Sequence, residues 1–431
     1  MSDAAFSTIA AVYTIGGLLG ALAAGPMASR RGRLPAMRAT AACFLVGAGI
    51  ETISMNPVVM GLGRLISGVG AGASTVIVPL YISEVSPPNE RGMFGAMTQV
   101  SINVGILSSQ TLGFFLSYGS AWRWILAIGF FVSVAQASGL LVVPESPAWL
   151  AAHGNPARAR KVLQRIRGSG FDINGEAEGW HDDEEEATEA ERLLVEGGEE
   201  GVPPMPVANE QVKHMGFIQV VRDPLTRPAI VACVGIMFAQ QFCGINSIIM
   251  YSVFLLTDLL PVSSALLTII ISVVNLCTTI ACAPLPDRIG RKTCLLTSII
   301  GQGSSSFLLA LSIVLGLKVM SAISVLLFVA FFAVGLGPVP FIMASELVGH
   351  EAVGATQSWA LASNYVATFL VAQFFLIVNN WMNSVFGGAG WVYFIFAGFA
   401  LLSVIFVSVK VPETKGKKDM DEVWGRTRRI D

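Results

Sequence analysis

Residues 286–292 read PDRIGRK, a basic turn that follows two long apolar stretches of the chain. Residues 30–33 read RRGR, a second basic turn, but only one long apolar stretch precedes it. Beyond these turns the spacing of charged residues is similar in the two halves, with a glutamate 52 residues after Gly32 and another 56 residues after Gly290. A repeat of this length, with charges in corresponding loops, indicates a membrane protein built from two similar halves. Since the first copy comes one stretch too early, we expect one helix to be missing at the amino end.

The composition also indicates a membrane protein. Hydrophobic residues make up 53% of the chain and charged residues 13%, with a mean hydropathy of +0.66, values unsuited to a soluble domain. About 20 apolar residues suffice to cross the roughly 30 Å of hydrocarbon in a bilayer. Eleven such stretches can be drawn, at 6–28, 36–55, 58–81, 93–117, 124–143, 228–256, 264–285, 294–316, 320–345, 355–379 and 391–411. The sequence therefore predicts an all-α integral membrane protein with eleven spans.

The positive charges predict the orientation of these spans. Arginine and lysine cluster after the first, third, fifth, seventh and last spans, whereas the opposite loops contain only Arg123 and Lys318. By the positive-inside rule the amino terminus lies outside and the carboxyl terminus lies in the cytoplasm. The predicted units are an N-terminal membrane half at 1–143, a cytoplasmic loop at 144–227, a C-terminal membrane half at 228–412 and a cytoplasmic tail at 413–431.

Several classes of function have no support in the sequence. The six cysteines lie in or at spans without metal-ligand spacing, the four histidines lie in predicted cytoplasmic segments, and no catalytic triad is recognisable. We therefore expect no metal, no cofactor and no enzymatic activity. Residues 156–167 predict an amphipathic helix, and the acidic run from Glu176 to Glu200 predicts a disordered linker. The formal net charge of −2 argues against a nucleic-acid partner.

Isolated amides interrupt several of the predicted spans. Gln240, Gln241 and Asn246 lie close together in the sixth span. Gln99 and Asn275 lie in the fourth and seventh spans. An uncharged polar group in hydrocarbon is costly unless it has a partner. Amides both donate and accept hydrogen bonds and so suit sugar hydroxyls, but hydrogen bonds between helices explain them equally well.

Six motifs follow one another along the chain. They read GRLISGVGAGASTVIVPLYISEVSPPNERG (63–92), PESPAWL (144–150), QQFCGINSIIMYS (240–252), PDRIGRK (286–292), GLGPVPFIMASEL (335–347) and PETKG (412–416). This set, in this order, resembles the sugar porter family of the major facilitator superfamily, from residue 6 to about residue 424. The resemblance implies a bundle of two pseudo-symmetric halves and twelve helices, of which this chain matches helices two to twelve.

The resemblance implies a sugar site at the amides. The residues expected to contact substrate are Gln99, Gln240, Gln241, Asn246, Asn275 and Phe341. Tyr251, one turn beyond Asn246, matches an aromatic gate on the outer side. Phe341 stands where the family commonly has tryptophan, so that stacking is kept but the indole N–H donor is lost. A hexose, a polyol and an inositol all stay open as the substrate.

The resemblance also implies an ion-pair latch at the cytoplasmic ends of the helices. Its expected members are Arg33, Glu84, Arg91, Glu145, Asp287, Arg291, Glu346 and Glu413. In the family this latch holds the helix ends together when the carrier faces outward; charges that only set topology are the alternative. Ser29 stands where the motif prefers aspartate and Val353 where a basic residue is usual, which predicts an incomplete latch.

Arg64 lies inside an apolar span and needs a partner. In proton-coupled sugar porters the matching arginine faces an aspartate on the first helix, so we expect Arg64 to lack its partner here. Proton symport and passive transport both stay open. The sequence thus predicts a monomeric carrier for a monosaccharide or polyol that works by alternating access in the plasma membrane or an internal membrane. The alternative is a truncated, non-transporting member of the family or a sugar-sensing receptor.

Overall fold

The regular structure is helical throughout the described part of this chain. The computed structural model describes residues 3–177, 215–249, 264–349, 351–417 and 420–425. In the first half, the helices are α1 (Asp3–Arg31), α2 (Arg33–Ile53), α3 (Pro57–Val85), α4 (Arg91–Leu116) and α5 (Trp122–Gly139). The connecting segment contains α6 (Pro147–Ala152), α7 (Pro156–Arg167) and α8 (Gln219–Arg222). In the second half, they are α9 (Arg227–Phe242), α10 (Ser264–Cys282), α11 (Leu285–Ile289), α12 (Arg291–Val314), α13 (Lys318–Val334), α14 (Val339–Glu346), α15 (Val353–Phe386) and α16 (Val392–Lys410), followed by α17 (Met420–Val423).

The described part of each predicted apolar stretch falls on one or two of these helices, as an all-α membrane fold requires; residues 250–256 of the stretch 228–256 lie outside the described residues. By length and composition, eight helical segments among the described residues could each cross a membrane. The helices α4, α5 and α10, which coincide with the other three predicted spans, pack against these segments in the same bundle. Large apolar side chains cover the outside of the bundle, and Phe131 and Leu401 are each 64% exposed. Such a surface fits contact with lipid rather than with water. The unit boundaries at residues 143, 227 and 412 stay predictions.

Close helix packing in the first half depends on glycine. A Cβ on Gly16 would meet the Leu65 carbonyl of α3, and a Cβ on Gly72 would meet the Gly17 carbonyl of α1. Only residues without a side chain allow α1 and α3 to approach this closely. This packing fixes α3, which carries Arg64 and Glu84, against the rest of the half.

The two halves contact each other along two seams. One seam pairs α1 with α15, where the Gly25 backbone N–H donates to Ser358 Oγ at 3.0 Å. The other seam pairs α4 with α10 through buried amides, which are described below. Both seams end at the part of the bundle that contains Arg33 and Arg291, which we call the charged end.

Candidate functional site

Four amides form a connected cluster between α9 and the middle of α15. Gln240 and Gln241 lie in the last turn of α9 and are 4% and 6% exposed. Asn246 Nδ2 donates to Gln241 Oε1 at 2.6 Å, and Gln241 Nε2 donates to Asn364 Oδ1 at 3.2 Å. Asn364 Nδ2 closes the cluster by donating to Gln240 Oε1 at 2.6 Å. We call these four residues the amide cluster.

The backbone places Asn246 within reach of this cluster. α9 ends at Phe242, and Gly244 has a φ of 99°, a left-handed conformation that residues with a side chain rarely adopt. The chain turns there and becomes helical again, so that Asn246 faces back towards Gln241. A Cβ at Gly244 would also lie 2.8 Å from the ring of Phe396. Glycine is therefore required here for both conformation and space.

A second group of polar side chains lies across the seam between α4 and α10. Gln99 Nε2 donates to Asn103 Oδ1 at 3.0 Å, within α4. Asn103 is 1% exposed and donates across the seam to Thr279 Oγ1 at 2.8 Å and to Asn275 Oδ1 at 3.3 Å. We call Gln99, Asn103, Asn275 and Thr279 the seam cluster. Hydrogen bonds from Asn103 in this cluster connect the two halves.

Both clusters meet at the break between α13 and α14. Residues 335–338 are not helical, and both backbone groups of Leu336 bond to side chains there, the N–H to Ser298 Oγ at 2.9 Å. The Leu336 carbonyl accepts from Gln240 Nε2 at 2.5 Å, and a Cβ on Gly337 would lie 3.3 Å from Gln99 Cγ. The predicted residues Gln99, Gln240, Gln241, Asn246 and Asn275 are thus brought to one region between the halves.

The arrangement suits a ligand that offers several hydroxyls. Asn246 and Asn364 are only half-buried, so their amide edges remain open to a small molecule. Thr368 Oγ1, 3.3 Å from Asn246 Nδ2, adds a hydroxyl to the same wall. Because amides donate and accept, each bond within the amide cluster can be exchanged for a bond to a sugar hydroxyl without leaving a buried group unpaired.

Phe341, the remaining described residue predicted to contact substrate, lies apart from the amides. Phe341 on α14 is 7% exposed, and it lines a small cavity together with Arg91 and Glu346, closer to the charged end. Its carbonyl accepts from Gln357 Nε2 at 3.2 Å. Tyr251 lies outside the described residues.

Sequence reasoning missed three members of these clusters, Asn103, Asn364 and Thr279. The two asparagines carry the signal that selected Gln99, an amide inside an apolar stretch. Asn103 lies one helical turn beyond Gln99, and Asn364 lies inside the predicted span 355–379. Applying the isolated-amide criterion to every span would have found both.

At the charged end, the first half contains a buried ion-pair network. The Arg33 guanidinium binds the Glu84 carboxylate, with Nη2 at 2.5 Å and Nε at 2.9 Å. Glu145 accepts from the backbone N–H groups of Arg33 and Leu34 at 3.0 and 3.1 Å, at the start of α2. A carboxylate at this position neutralises the partial positive charge of a helix N-terminus. Arg33 Nη1 also donates to the Ala28 carbonyl at 3.1 Å.

The second half repeats this network. Arg291 binds Glu346, with Nη2 at 2.8 Å and Nε at 3.1 Å, and Glu413 accepts from the backbone N–H groups of Arg291 and Lys292 at 2.8 and 3.1 Å. Arg291 Nη1 donates to the Pro286 carbonyl, again five residues earlier, at 3.1 Å. The pseudo-symmetry inferred from the basic turns therefore extends to individual donor and acceptor atoms.

Asp287 connects this end of the second half to the first. Its Oδ1 lies 2.9 Å from Arg291 Nη2, and its Oδ2 accepts from the Met93 N–H at 2.9 Å, in the first turn of α4. Arg91 does not join it: the Arg91 side chain is exposed and makes no ion pair with the described residues. Seven of the eight predicted charges are thus engaged in the networks.

Arg64 has a partner, which corrects the expectation that it would lack one. Its Nε lies 3.4 Å from Glu51 Oε2, on the neighbouring helix α2. The Glu51 side chain is 9% exposed and the Arg64 side chain 39%. The prediction was wrong because it looked for the partner only on the family's first helix, whereas α2 and α3 pack closely enough to provide one.

Comparison with known proteins identifies the family. The model of a family described as "Sugar (and other) transporter" matches residues 2–424. The chain is 33% identical to a probable metabolite transport protein of Saccharomyces cerevisiae, over 98% of this chain and 83% of the relative. It is 31% identical to the glucose transporter GlcP of Staphylococcus epidermidis, over 94% of this chain and 84% of the relative.

The fold also has a counterpart among solved structures. It is similar to that of the proton:xylose symporter XylE of E. coli, a major facilitator superfamily protein bound there to 6-bromo-6-deoxy-D-glucose. The TM-score is 0.78, at 24% identity, and the match covers 99% of this chain and 90% of that chain. A family match over nearly the whole length and two relatives above 30% identity leave no ambiguity: the chain belongs to the sugar (and other) transporter family and has the fold of the major facilitator superfamily.

Proposed function

We propose that this sugar carrier binds a monosaccharide or a polyol at the amide cluster and the seam cluster. The observation that carries the proposal is the hydrogen-bonded group of Gln240, Gln241, Asn246 and Asn364 beside a helix break. Uncharged donors and acceptors fit an uncharged polyhydroxylated ligand, whereas an anion or a cation would need a fixed opposite charge. Glucose and xylose, the solutes named for two of the similar proteins, are the first candidates.

Transport follows from alternating access of the two halves to this site. The halves meet at the charged end through Asp287 and the start of α4, and a Cβ on Gly95 would lie 2.8 Å from Ile342 across the same boundary. These contacts close the path between the amides and the charged end. Rocking of the halves breaks them and opens that side while the other side closes. The seam cluster lies where the halves must slide past each other.

We place the charged end in the cytoplasm. Arg33, Arg291 and the basic helix α7 all lie at or beside it, and positive charge favours the cytoplasmic side. In this orientation α1 begins outside and α4 begins inside. The partners in this proposal are the bilayer and the solute, with protons as well if transport is coupled, and the carrier acts as a monomer.

The substrate site is tested by binding and transport in proteoliposomes. The protein is reconstituted, and counterflow of D-glucose, D-xylose, other hexoses and polyols is measured for the wild type, Gln241→Ala and Asn364→Ala. Losing one good hydrogen bond in a dry site costs about 1–3 kcal/mol, so we expect affinity for the transported ligand to fall about tenfold or more.

A matched control is available on the same helix. Gln373 lies on α15, as Asn364 does, but its side chain is exposed on the outside of the bundle. Gln373→Ala should leave affinity unchanged. If Gln241→Ala and Asn364→Ala bind every ligand as the wild type does, the amide cluster is not the sugar site.

A further inference from the structure

One face of α12 carries polar side chains into the interior of the second half. Four buried polar residues lie on it at helical spacing, namely Ser298, Gln302, Ser305 and Ser306. Ser305 donates to the carbonyl of Gly301 in its own helix at 2.7 Å, as buried serines in helices commonly do. Ser298 and Gln302 instead reach the break between α13 and α14, which also supports the amide cluster.

The Ser298 hydroxyl uses its full hydrogen-bonding capacity at this break. It donates to the Phe331 carbonyl at 2.7 Å, and it accepts from the Leu336 N–H at 2.9 Å and from Gln302 Nε2 at 3.2 Å. A hydroxyl has one proton to donate and two lone pairs that accept, so all three are engaged. A Cβ on Gly335 would lie 2.9 Å from Ser298 Cβ, so glycine allows α12 to come this close.

These bonds replace those of a continuous helix. In a helix the Phe331 carbonyl would accept from the N–H four residues later, and the Leu336 N–H would donate to the Phe332 carbonyl. Here Ser298 serves both Phe331 and Leu336. The Phe332 carbonyl accepts from the Gly337 N–H at 2.9 Å, one residue later than in a helix. The Ser298 hydroxyl therefore fixes the residue at which α13 breaks.

The position of Leu336 sets the orientation of the Gln240 amide. A carbonyl can only accept, so Gln240 must direct Nε2 towards the Leu336 oxygen, at 2.5 Å, and Oε1 towards the amide cluster. There Oε1 accepts from Asn364 Nδ2 at 2.6 Å and from Gln241 Nε2 at 3.3 Å. Because a backbone carbonyl cannot exchange donor for acceptor, it determines which end of the Gln240 amide faces the cluster.

The same order continues through the cluster. Gln241 Nε2 donates to both neighbouring amides, which leaves Gln241 Oε1 to accept from Asn246 Nδ2 at 2.6 Å. Asn246 Nδ2 also donates to Thr368 Oγ1 at 3.3 Å. Among the described residues, no side chain or backbone group donates to Asn246 Oδ1. The order that begins at Leu336 therefore ends with a free acceptor that can face the sugar.

Gln302 has a role at the break that its packing does not explain. The side chain is fully buried, and its Oε1 has no hydrogen-bond partner among the described residues. A buried acceptor without a partner destabilises the fold, whereas leucine in its place would leave no such group. Gln302 Nε2 occupies one lone pair of the Ser298 oxygen and so directs the Ser298 proton at the Phe331 carbonyl. The amide thus orients one hydroxyl at the expense of stability.

We propose that Ser298 and Gln302 are positioning residues of the sugar site, which fix the Leu336 carbonyl and through Gln240 set the donor–acceptor order of the amide cluster. The inference rests on the proposed function and adds two residues of α12 that lie outside the cluster. The order makes Asn246 Oδ1 the atom that accepts from a sugar hydroxyl. Without either positioning residue the Gln240 amide is free to turn over, and part of the population offers the sugar the wrong atoms.

The first test measures sugar affinity and stability on the same preparations. Counterflow of D-glucose and D-xylose in proteoliposomes gives KM and the maximal rate, and thermal unfolding gives the unfolding temperature. Ser298→Ala should raise KM roughly three- to tenfold, as expected for one misaligned hydrogen bond, with a smaller change in maximal rate. The control Ser305→Ala removes an equally buried hydroxyl that bonds within α12, and KM should stay at the wild-type value.

Gln302→Leu separates positioning from stability. It removes the donor to Ser298 together with the unpaired Oε1, so KM should rise while the unfolding temperature stays the same or increases. A residue that only stabilised the fold would give the opposite pattern, a lower unfolding temperature with an unchanged KM. That pattern in Gln302→Leu would refute a positioning role.

A double-mutant cycle tests the route through Gln240. Gln240→Leu should raise KM, and Ser298→Ala added to it should raise KM no further, because the amide that Ser298 orients is gone. Multiplied effects would show that Ser298 acts by another route, and an unchanged KM in Ser298→Ala, or an equal rise in Ser305→Ala, would also overturn the inference. If Gln240→Leu, Gln241→Ala and Asn364→Ala all keep the wild-type KM, the proposed sugar site itself is wrong.

Discussion

The charged end contains one contact that is present in only one of its two repeats. Asp287 lies three residues before Gly290, and its carboxylate accepts from the Met93 N–H in the first turn of α4. Ser29 lies three residues before Gly32 and faces the first turn of α15, with its Oγ 2.7 Å from where a Cβ on Gly354 would be. The variant Ser29→Asp should therefore recreate, on the α1–α15 seam, the contact that Asp287 makes with α4.

The size of the effect follows from the geometry. A carboxylate at a helix N-terminus stabilises by about 0.3–1 kcal/mol when exposed and by up to about 2 kcal/mol when partly buried. Ser29 is half-buried, and Arg33 lies four residues later, as Arg291 does after Asp287. We expect Ser29→Asp to stabilise the state that is closed at the charged end by about 1–2 kcal/mol relative to the open state. That energy reduces the open population roughly five- to thirty-fold.

Labelling of a cysteine at the charged end measures this population. Ser83 lines the small cavity between Arg91 and Phe341 and becomes accessible when the halves separate. In a background without the six native cysteines, Ser83→Cys reacts with a membrane-impermeant maleimide at a rate proportional to the open fraction. Adding Ser29→Asp should slow the reaction five- to thirty-fold, whereas the neutral Ser29→Asn should change it little.

The reverse change completes the experiment. Asp287→Asn removes the existing carboxylate from the start of α4, and we expect it to accelerate labelling of Ser83→Cys. If Asp287→Asn accelerates labelling and Ser29→Asp leaves it unchanged, the two positions are not equivalent. If neither changes the rate, carboxylates at these helix starts do not bias the equilibrium between open and closed states.

Two further substitutions test single features of the structure. In a thermal unfolding assay, Gly290→Ala should lower the free energy of unfolding by more than about 1 kcal/mol, because φ is 100° there and a Cβ would meet the Glu413 carboxylate. The control Gly105→Ala should be neutral or stabilising, because a Cβ there meets nothing within 4 Å. Asn103→Leu leaves its partners in the seam cluster unpaired, so it should lower the free energy of unfolding by about 1–3 kcal/mol and slow sugar counterflow. An unchanged unfolding temperature together with unchanged counterflow would show that the seam cluster is dispensable.

The sequence was most informative where structure depends on local composition. A helix satisfies its own backbone hydrogen bonds, so an apolar run of sufficient length predicts a span without knowledge of its neighbours. The basic turns identified Arg33 and Arg291 correctly as repeated positions, and Glu84 and Glu346 as their acidic counterparts. The isolated-amide criterion likewise selected residues that the structure brings together.

The sequence was least informative where structure depends on which helices touch. Glu51 and Arg64 are 13 residues apart on two helices, and nothing in their local sequence shows that the glycines Gly47 and Gly63 bring those helices into contact. Arg91 belongs to a motif and yet is exposed and makes no ion pair with any residue that the structure describes. Which charged residues pair across helices depends on how the helices pack, and a single sequence does not show that packing.

The two seams differ in a way that bears on how the halves move. The α4–α10 seam is held by directional bonds, from Asp287 of the adjoining α11 at the charged end to Asn103 within the bundle. The α1–α15 seam is held mainly by close approach of small residues, with Gly25 bonded to Ser358 and with Gly17 against the ring of Tyr365. Hydrogen bonds and ion pairs are lost abruptly when the atoms separate, whereas surfaces of small residues tolerate sliding. We therefore expect the cost of opening the charged end to fall mostly on the α4–α10 seam, which is why adding a carboxylate to the other seam should have so large an effect.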